Sequence, residues 1–196
     1  GTRTAGGVAG LVVTAAVVAG CGQPTTPSTE VSGPLTDGLA QVVQLAAQRA
    51  AVSDQVAAAK FGTGQPVTDP DREAVVVAEA RAQAGRDGVD PEWVARVVAD
   101  QIAASTRVQN DLLQQWTEHP DSRPAERPDL ALVRPEITRI SNALVHALKV
   151  AEPARAQANC SSRLASVVQE QSRALDGIHA AALERAVRSV CDDAPN

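Results

Sequence analysis

Tyrosine and methionine are absent from this 196-residue chain, phenylalanine occurs once and tryptophan twice. So few rings leave no stacking platform for the bases of a nucleic acid, and Trp93 and Trp116 read most simply as core residues or contacts between copies. Positive charge is short as well. The 18 basic and 23 acidic side chains sum to −5, and such a surface repels nucleic acid and anionic lipid. The three histidines, His119, His146 and His179, have no ligand-like spacing to cysteines or carboxylates, so no metal site is expected. Gly62-Thr63-Gly64 lacks the Lys-Ser/Thr of a phosphate loop, no G-x-S-x-G elbow occurs, and the three cysteines make no C-x-x-C pair.

A membrane-spanning run is missing too. The apolar stretch 8–20 carries no charge but falls short of the roughly 20 residues that a transmembrane helix takes, and it fits the apolar core of a signal peptide instead. Val18-Ala19-Gly20-Cys21 resembles a lipoprotein signal box. Residues 1–20 then form a leader, Cys21 becomes the lipidated first residue, and residues 21–34, rich in Pro, Ser and Thr, form a flexible tether. Ordinary cleavage beyond Gly20 with free release is the alternative. Residues 35–196 remain as one domain, expected to be exported as a periplasmic or cell-surface lipoprotein or secreted, and to meet a membrane only through the lipid anchor.

What the chain does contain is helix. Ala, Val, Leu, Arg, Gln and Glu dominate and apolar residues recur three and four apart, which predicts an all-α domain of about six helices. The first covers residues 36–61, with Leu39, Val42, Val43, Ala46, Ala50 and Val56 as its buried stripe, and Gly62-Thr63-Gly64-Gln65-Pro66 breaks it. Asp69-Pro70 and Asp90-Pro91 each place a capping carboxylate before a proline at the first helical position. They open helices over 70–83 and 91–118. Residues 119–129, with three prolines, form a loop that delivers a fourth helix over 130–150, ended by Pro153. The last two helices cover 159–175 and 176–190.

A set of cationic and polar side chains stands out on these helices: Arg49, Lys60, Arg72, Ser105 with Gln109, and Arg134. Arg49 and Lys60 are eleven residues apart, close to three turns or about 16 Å of helix, so they leave one face together. Ser53 and Val56 lie between them and are short enough to leave a concave floor. Ser105 and Gln109, spaced i, i+4, present a hydroxyl and an amide side by side. The set has the character of a cage for a small dianion. Any one of these residues alone is most simply a solvated polar position, and capping accounts fully for Asp69.

The order and spacing resemble those of the all-helical chorismate mutases, in their exported gamma subclass. The resemblance runs from about Leu35 to Cys191 through Gln48-Arg49, Val56-Ala57-Ala58-Ala59-Lys60, Asp69-Pro70-Asp71-Arg72-Glu73, Asp90-Pro91-Glu92-Trp93-Val94-Ala95-Arg96-Val97 and Asp100-Gln101-Ile102 on to Ser105 and Gln109. Arg134 and the pair Cys160 and Cys191 set the gamma subclass apart from the short cytosolic form. The resemblance implies a type II-like helical bundle and a homodimer, with chorismate as substrate, prephenate as product and no cofactor. Lys60, Gln109, Arg49 and Arg134 would be catalytic. Arg49, Arg72 and Arg134 would lie near the two carboxylates, Lys60 would reach a carboxylate and the ether oxygen, and Gln109 would donate to that oxygen. Ser105 would help hold a carboxylate, and the backbone near Asp69 together with Glu73 would meet the ring hydroxyl. Two positions depart from the subclass pattern: Gln109 stands where a glutamate can occur, and Val76 where a glutamine often contacts substrate.

Export also gives the cysteines a use. With Cys21 spent on lipid, Cys160 and Cys191 are an even pair in an oxidising compartment, suited to a disulfide between the last two helices. Such a bridge would add roughly 3 to 4 kcal/mol in the chain-entropy model. Two buried free thiols are the alternative. Two other functions fit the same residues: a non-catalytic helical lipoprotein that binds an aromatic or dicarboxylic metabolite in the same cage, and a structural helical protein whose basic residues make salt bridges.

Overall fold

Local caps set where the helices begin and end. The computed structural model describes residues 38–191, so the expected leader, Cys21 and the tether lie outside the described residues. Within these bounds the chain forms α1 (Leu39–Lys60), α2 (Pro70–Asp87), α3 (Pro91–Glu118), α4 (Leu130–Arg155), α5 (Cys160–Ser172) and α6 (Gly177–Ala186), with one 3-10 turn at Pro120–Ser122 and no strand. Both Asp-Pro signals act as expected. Asp69 accepts a hydrogen bond from the Arg72 N–H at 3.1 Å, and Asp90 accepts from the N–H groups of Glu92 and Trp93 at 3.0 and 3.2 Å. Glu73 reaches back to accept from the Asp69 N–H at 3.2 Å, so the N-cap residue is itself held.

α1 is the central element, packed against α3, α4, α5 and α6. Two small residues of α4, Ala147 and Ala151, are buried where that helix meets the start of α1. Small residues let the two helix axes come close. The approach is closest at Gly38, whose φ of 83° is left-handed; a Cβ there would lie 2.7 Å from the Ala151 nitrogen and 2.8 Å from the Ala147 oxygen. Val56, expected in the buried stripe, is only half-buried.

Several boundaries differ from the sequence expectation, each for a tertiary reason. α2 continues one turn past residue 83 because Ala80 and Ala84 bury against the core, and it stops at Gly88, left-handed at φ 71°. Pro153 does not end α4. The last turn is held from outside: the Arg155 guanidinium bonds to Asp90 at 3.0 Å and lies 4.7 Å from the Trp93 ring centroid, and Glu152 accepts from the Asp90 N–H. α6 ends at Ala186, not at residue 190, where side chains of α3 bond to its last carbonyl and to the chain just beyond it. Gln101 donates to the Ala186 carbonyl and the Trp93 indole to that of Ser189, while buried Asp100 accepts from Ser189 and Arg185.

Trp93 and Trp116 are both core residues, and Trp116 meets Phe61 edge to face with centroids 5.6 Å apart. Cys160 and Cys191 form a disulfide that ties the start of α5 to the chain just past α6. His179 is satisfied structurally, since its ring nitrogens meet Asp54 of α1 at 2.7 Å and Asp176 at 2.8 Å. Burial alone would lower its pKa, but the hydrogen bonds and charges of Asp176 and Asp54 outweigh that and raise it. Gly38→Ala is expected to destabilise the domain by about 2 kcal/mol or more, because it adds left-handed strain to a backbone clash. Denaturant unfolding checks this, and a parent-like midpoint would mean that α1 and α4 do not meet as closely as described.

Candidate active site

The expected polar residues come from three helices. Arg49 lies mid-way along α1, Lys60 is its last residue, Asp69, Arg72 and Glu73 belong to the cap and first turn of α2, and Ser105 and Gln109 share one face of α3. All seven line a single cleft of about 140 Å³, with Val67, Val76, Ile102 and Thr106 completing its wall. Arg134 is not among them. It extends from α4 into an adjoining cavity of about 500 Å³ whose wall includes Val56, Leu130 and Ile137, and which shares Lys60, Asp69 and Arg72 with the inner cleft. The inner cleft is thus polar and the outer one more apolar. The groove between α5 and α6, about 480 Å³ and walled by Leu164, Val168 and Val187, has Arg188 as its one cation, beside Glu184. The inner cleft and the adjoining cavity each gather cations from more than one helix, which this groove does not.

Hydrogen bonds fix the inner cleft in detail. Lys60 Nζ donates to the Val67 carbonyl at 2.9 Å and to Gln109 Oε1 at 3.2 Å, and Gln109 Nε2 donates back to Ser105, to its carbonyl and its Oγ, each at 3.3 Å. Ser53 Oγ gives its proton to the Arg49 carbonyl at 2.9 Å, so the 2.7 Å contact between the two hydroxyls is donated by Ser105. A continuous relay therefore runs from Lys60 through Gln109 and Ser105 to Ser53. It holds the amide of Gln109 in one orientation, with Oε1 toward Lys60 and Nε2 toward Ser105.

Arg49 is the electrostatic centre. It is 9 % exposed, and among the described residues no carboxylate pairs with it; burial lowers its pKa to about 10. Its Nη1 donates to Ser141 Oγ at 2.8 Å, while its Nε is buried without an acceptor. A buried cation in that state favours an anion that brings its own negative charge. Burial also lowers the pKa of Lys60, and it outweighs the opposing pull of Asp69 and Glu73.

Sequence reasoning missed Ser141, Val67, Ile102 and Thr106. Ile102 and Thr106 fall on the stripe already marked by Ser105 and Gln109 and were readable from α3 periodicity. Val67 enters through a backbone carbonyl, which no side-chain pattern reports. Val76, singled out as a departure from the subclass pattern, does line the cleft.

The comparisons with known proteins agree with this geometry. The profile of the chorismate mutase type II family matches residues 40–110, which hold Arg49, Lys60, Arg72, Ser105 and Gln109. The secreted chorismate mutase of Mycolicibacterium smegmatis is 32% identical over 181 residues, covering 91% of this chain and 97% of that protein. The chain belongs to the chorismate mutase family. The secreted chorismate mutase of Mycobacterium tuberculosis is 31% identical over 162 residues, covering 82% of this chain and 81% of that protein. The crystal structure of the chorismate mutase from Burkholderia phymatum superposes with a TM-score of 0.77 at 35% identity, over 82% of this chain and all of that one. The family likeness thus extends well beyond residue 110, to the helices that supply Arg134 and the disulfide.

Proposed function

We propose that the chain rearranges chorismate to prephenate in the inner cleft, and the observation that carries the reading is the buried Arg49 guanidinium, which has no carboxylate partner among the described residues and shares the cleft with Lys60 and Gln109. The rearrangement breaks one C–O bond and forms one C–C bond within a single molecule. It needs no nucleophile and no proton transfer. The site must hold the side chain of chorismate over its ring in a compact conformer and stabilise the negative charge that grows on the ether oxygen. Arg49 supplies a planar fork for one carboxylate. Arg72, at the junction of the two cavities, and Arg134, in the outer one, supply charge for the other, and Ser105 adds a hydroxyl.

Lys60 and Gln109 act on the ether oxygen. Their mutual hydrogen bond and the Ser105 contact hold both side chains in place before substrate arrives, so little reorganisation is left for the reaction itself. Asp69 and Glu73, tied together through the Asp69 N–H, stand on the same wall, where the ring hydroxyl would meet them. Arg134 comes from the α4 of the same chain, so each copy carries its own full set.

The proposal extends to export, with residues 1–20 as leader, 21–34 as tether and 35–196 as the catalytic domain. The Cys160–Cys191 disulfide is of a kind that persists outside the cytoplasm, and both bacterial relatives above are called secreted. Lipid attachment at Cys21 rests on the Val18-Ala19-Gly20-Cys21 box, and a homodimer on the family resemblance.

Lys60→Ala is expected to lower kcat by about 10² to 10³, followed as loss of chorismate absorbance; near-full turnover would remove Lys60 from the mechanism. The parent should also have an alkaline limit. Raising the pH takes the charge from Lys60, and with it affinity for a dianion, so kcat/KM should fall before an ordinary lysine at 10.5 would lose its proton. Lys60→Arg should remove the share of that fall due to Lys60 and leave the share set by Arg49, whose pKa burial lowers to about 10, and a parent profile level up to 10.5 contradicts the assignment. Gln109→Glu provides a separate test. A carboxyl donates to the ether oxygen only when protonated, so this variant should keep activity in acid and lose it as pH rises through the glutamate pKa, with kcat affected more than KM. A pH profile parallel to the parent's would show that Gln109 does not face the ether oxygen.

A further inference from the structure

We infer that Ser141 of α4 is a positioning residue for Arg49: its hydroxyl holds the guanidinium by one corner and so presents the opposite edge to a substrate carboxylate. The inference rests on reading the inner cleft as the chorismate site. Ser141 Oγ donates its proton to the Ile137 carbonyl at 2.9 Å, one turn back in the same helix. Its single proton is thereby committed, and its lone pairs face outward as acceptors. One of them takes the Nη1 proton of Arg49 at 2.8 Å, across the packing of α4 on α1.

The geometry of the guanidinium makes this contact directional. The group is planar, and the edge opposite Nη1 is formed by Nε and Nη2, the two parallel donors that match a carboxylate. Nε is buried without an acceptor, so this edge is the one still to be engaged. Ser141 also has the right charge for the task. A carboxylate at this position would neutralise Arg49 and compete with the substrate, whereas a neutral hydroxyl leaves the positive charge intact. Ser141 lies outside the inner cleft, on the wall of a polar cavity between α2 and α4 that also includes Thr138 and Asn142. It therefore acts through Arg49 and not on the substrate.

The test is a cycle of substitutions in the full chain with chorismate as substrate. Ser141→Ala should lower kcat/KM by roughly 10- to 100-fold, as expected for losing a hydrogen bond to a charged group, while the melting temperature stays near the parent's because alanine favours helix at least as well as serine. Ser141→Thr should restore most of the loss. Ser141→Asp should raise KM strongly. The decisive arm uses Arg49→Met: in that background Ser141→Ala should change kcat/KM by less than about twofold, because residues acting as one unit are not additive. Full activity in Ser141→Ala, the same loss with or without Arg49, or a loss that follows melting temperature and is not repaired by threonine would each overturn the inference. Failure of the chorismate reading looks different, since the parent would then show no turnover, or Arg49→Met would match it.

Discussion

A guanidinium buried in a helical domain, with no carboxylate beside it among the described residues, is the constraint on which the rest of this structure turns. Removing a charge from water costs several kcal/mol unless something compensates, and here, among the described residues, a serine hydroxyl is the side-chain partner and Nε has no acceptor. The folded chain tolerates this because α1 is held on every side by its neighbours. The state favours a bound dianion, since an anion that pairs with Arg49 also stabilises the fold by mass action. Lys60 repeats the pattern more mildly, its pKa lowered by burial against the pull of Asp69 and Glu73.

The remainder of the domain serves to keep α1 and α3 rigid around that charge. Small residues let α1 and α4 approach, which brings Ser141 within reach of Arg49. At the other end of the molecule α3 takes over the carbonyls at the end of α6 through Trp93 and Gln101, and Asp100 clasps Arg185 and Ser189. The loop after α3 is pinned to the end of α1. Arg127 donates to the Phe61 carbonyl and Arg123 to that of Trp116, with the Arg123 guanidinium 5.2 Å from the Phe61 ring centroid. These contacts fix the direction in which α4 sets out and so the place of Arg134.

Much of this was readable along the chain because it depends on near neighbours. The two Asp-Pro starts are local geometry, and α3 spans the residues its pattern predicted. Readings that relied on one residue overriding its surroundings did not survive. Pro153 is a poor helix residue, yet Arg155 and Glu152 hold the turn around it from outside. The last helix stops early, where Gln101 of α3 bonds to its final carbonyl and Trp93 to that of Ser189 beyond it. Val56 lines the outer cavity instead of filling the core.

The sequence by itself determined that the chain is helical, where most helices begin, which side chains are candidates for an anion cage, and which family they resemble. Each of those properties resides in spacing, capping or residue type within a few turns. Tertiary structure alone decided that seven of the candidates share one cleft while Arg134 stands in the next cavity, and that the partner of Arg49 is Ser141, 92 residues away. Periodicity says which face of a helix a residue occupies. Which other helix meets that face depends on packing across the whole core, and so does the burial that lowers the pKa of Arg49 and of Lys60.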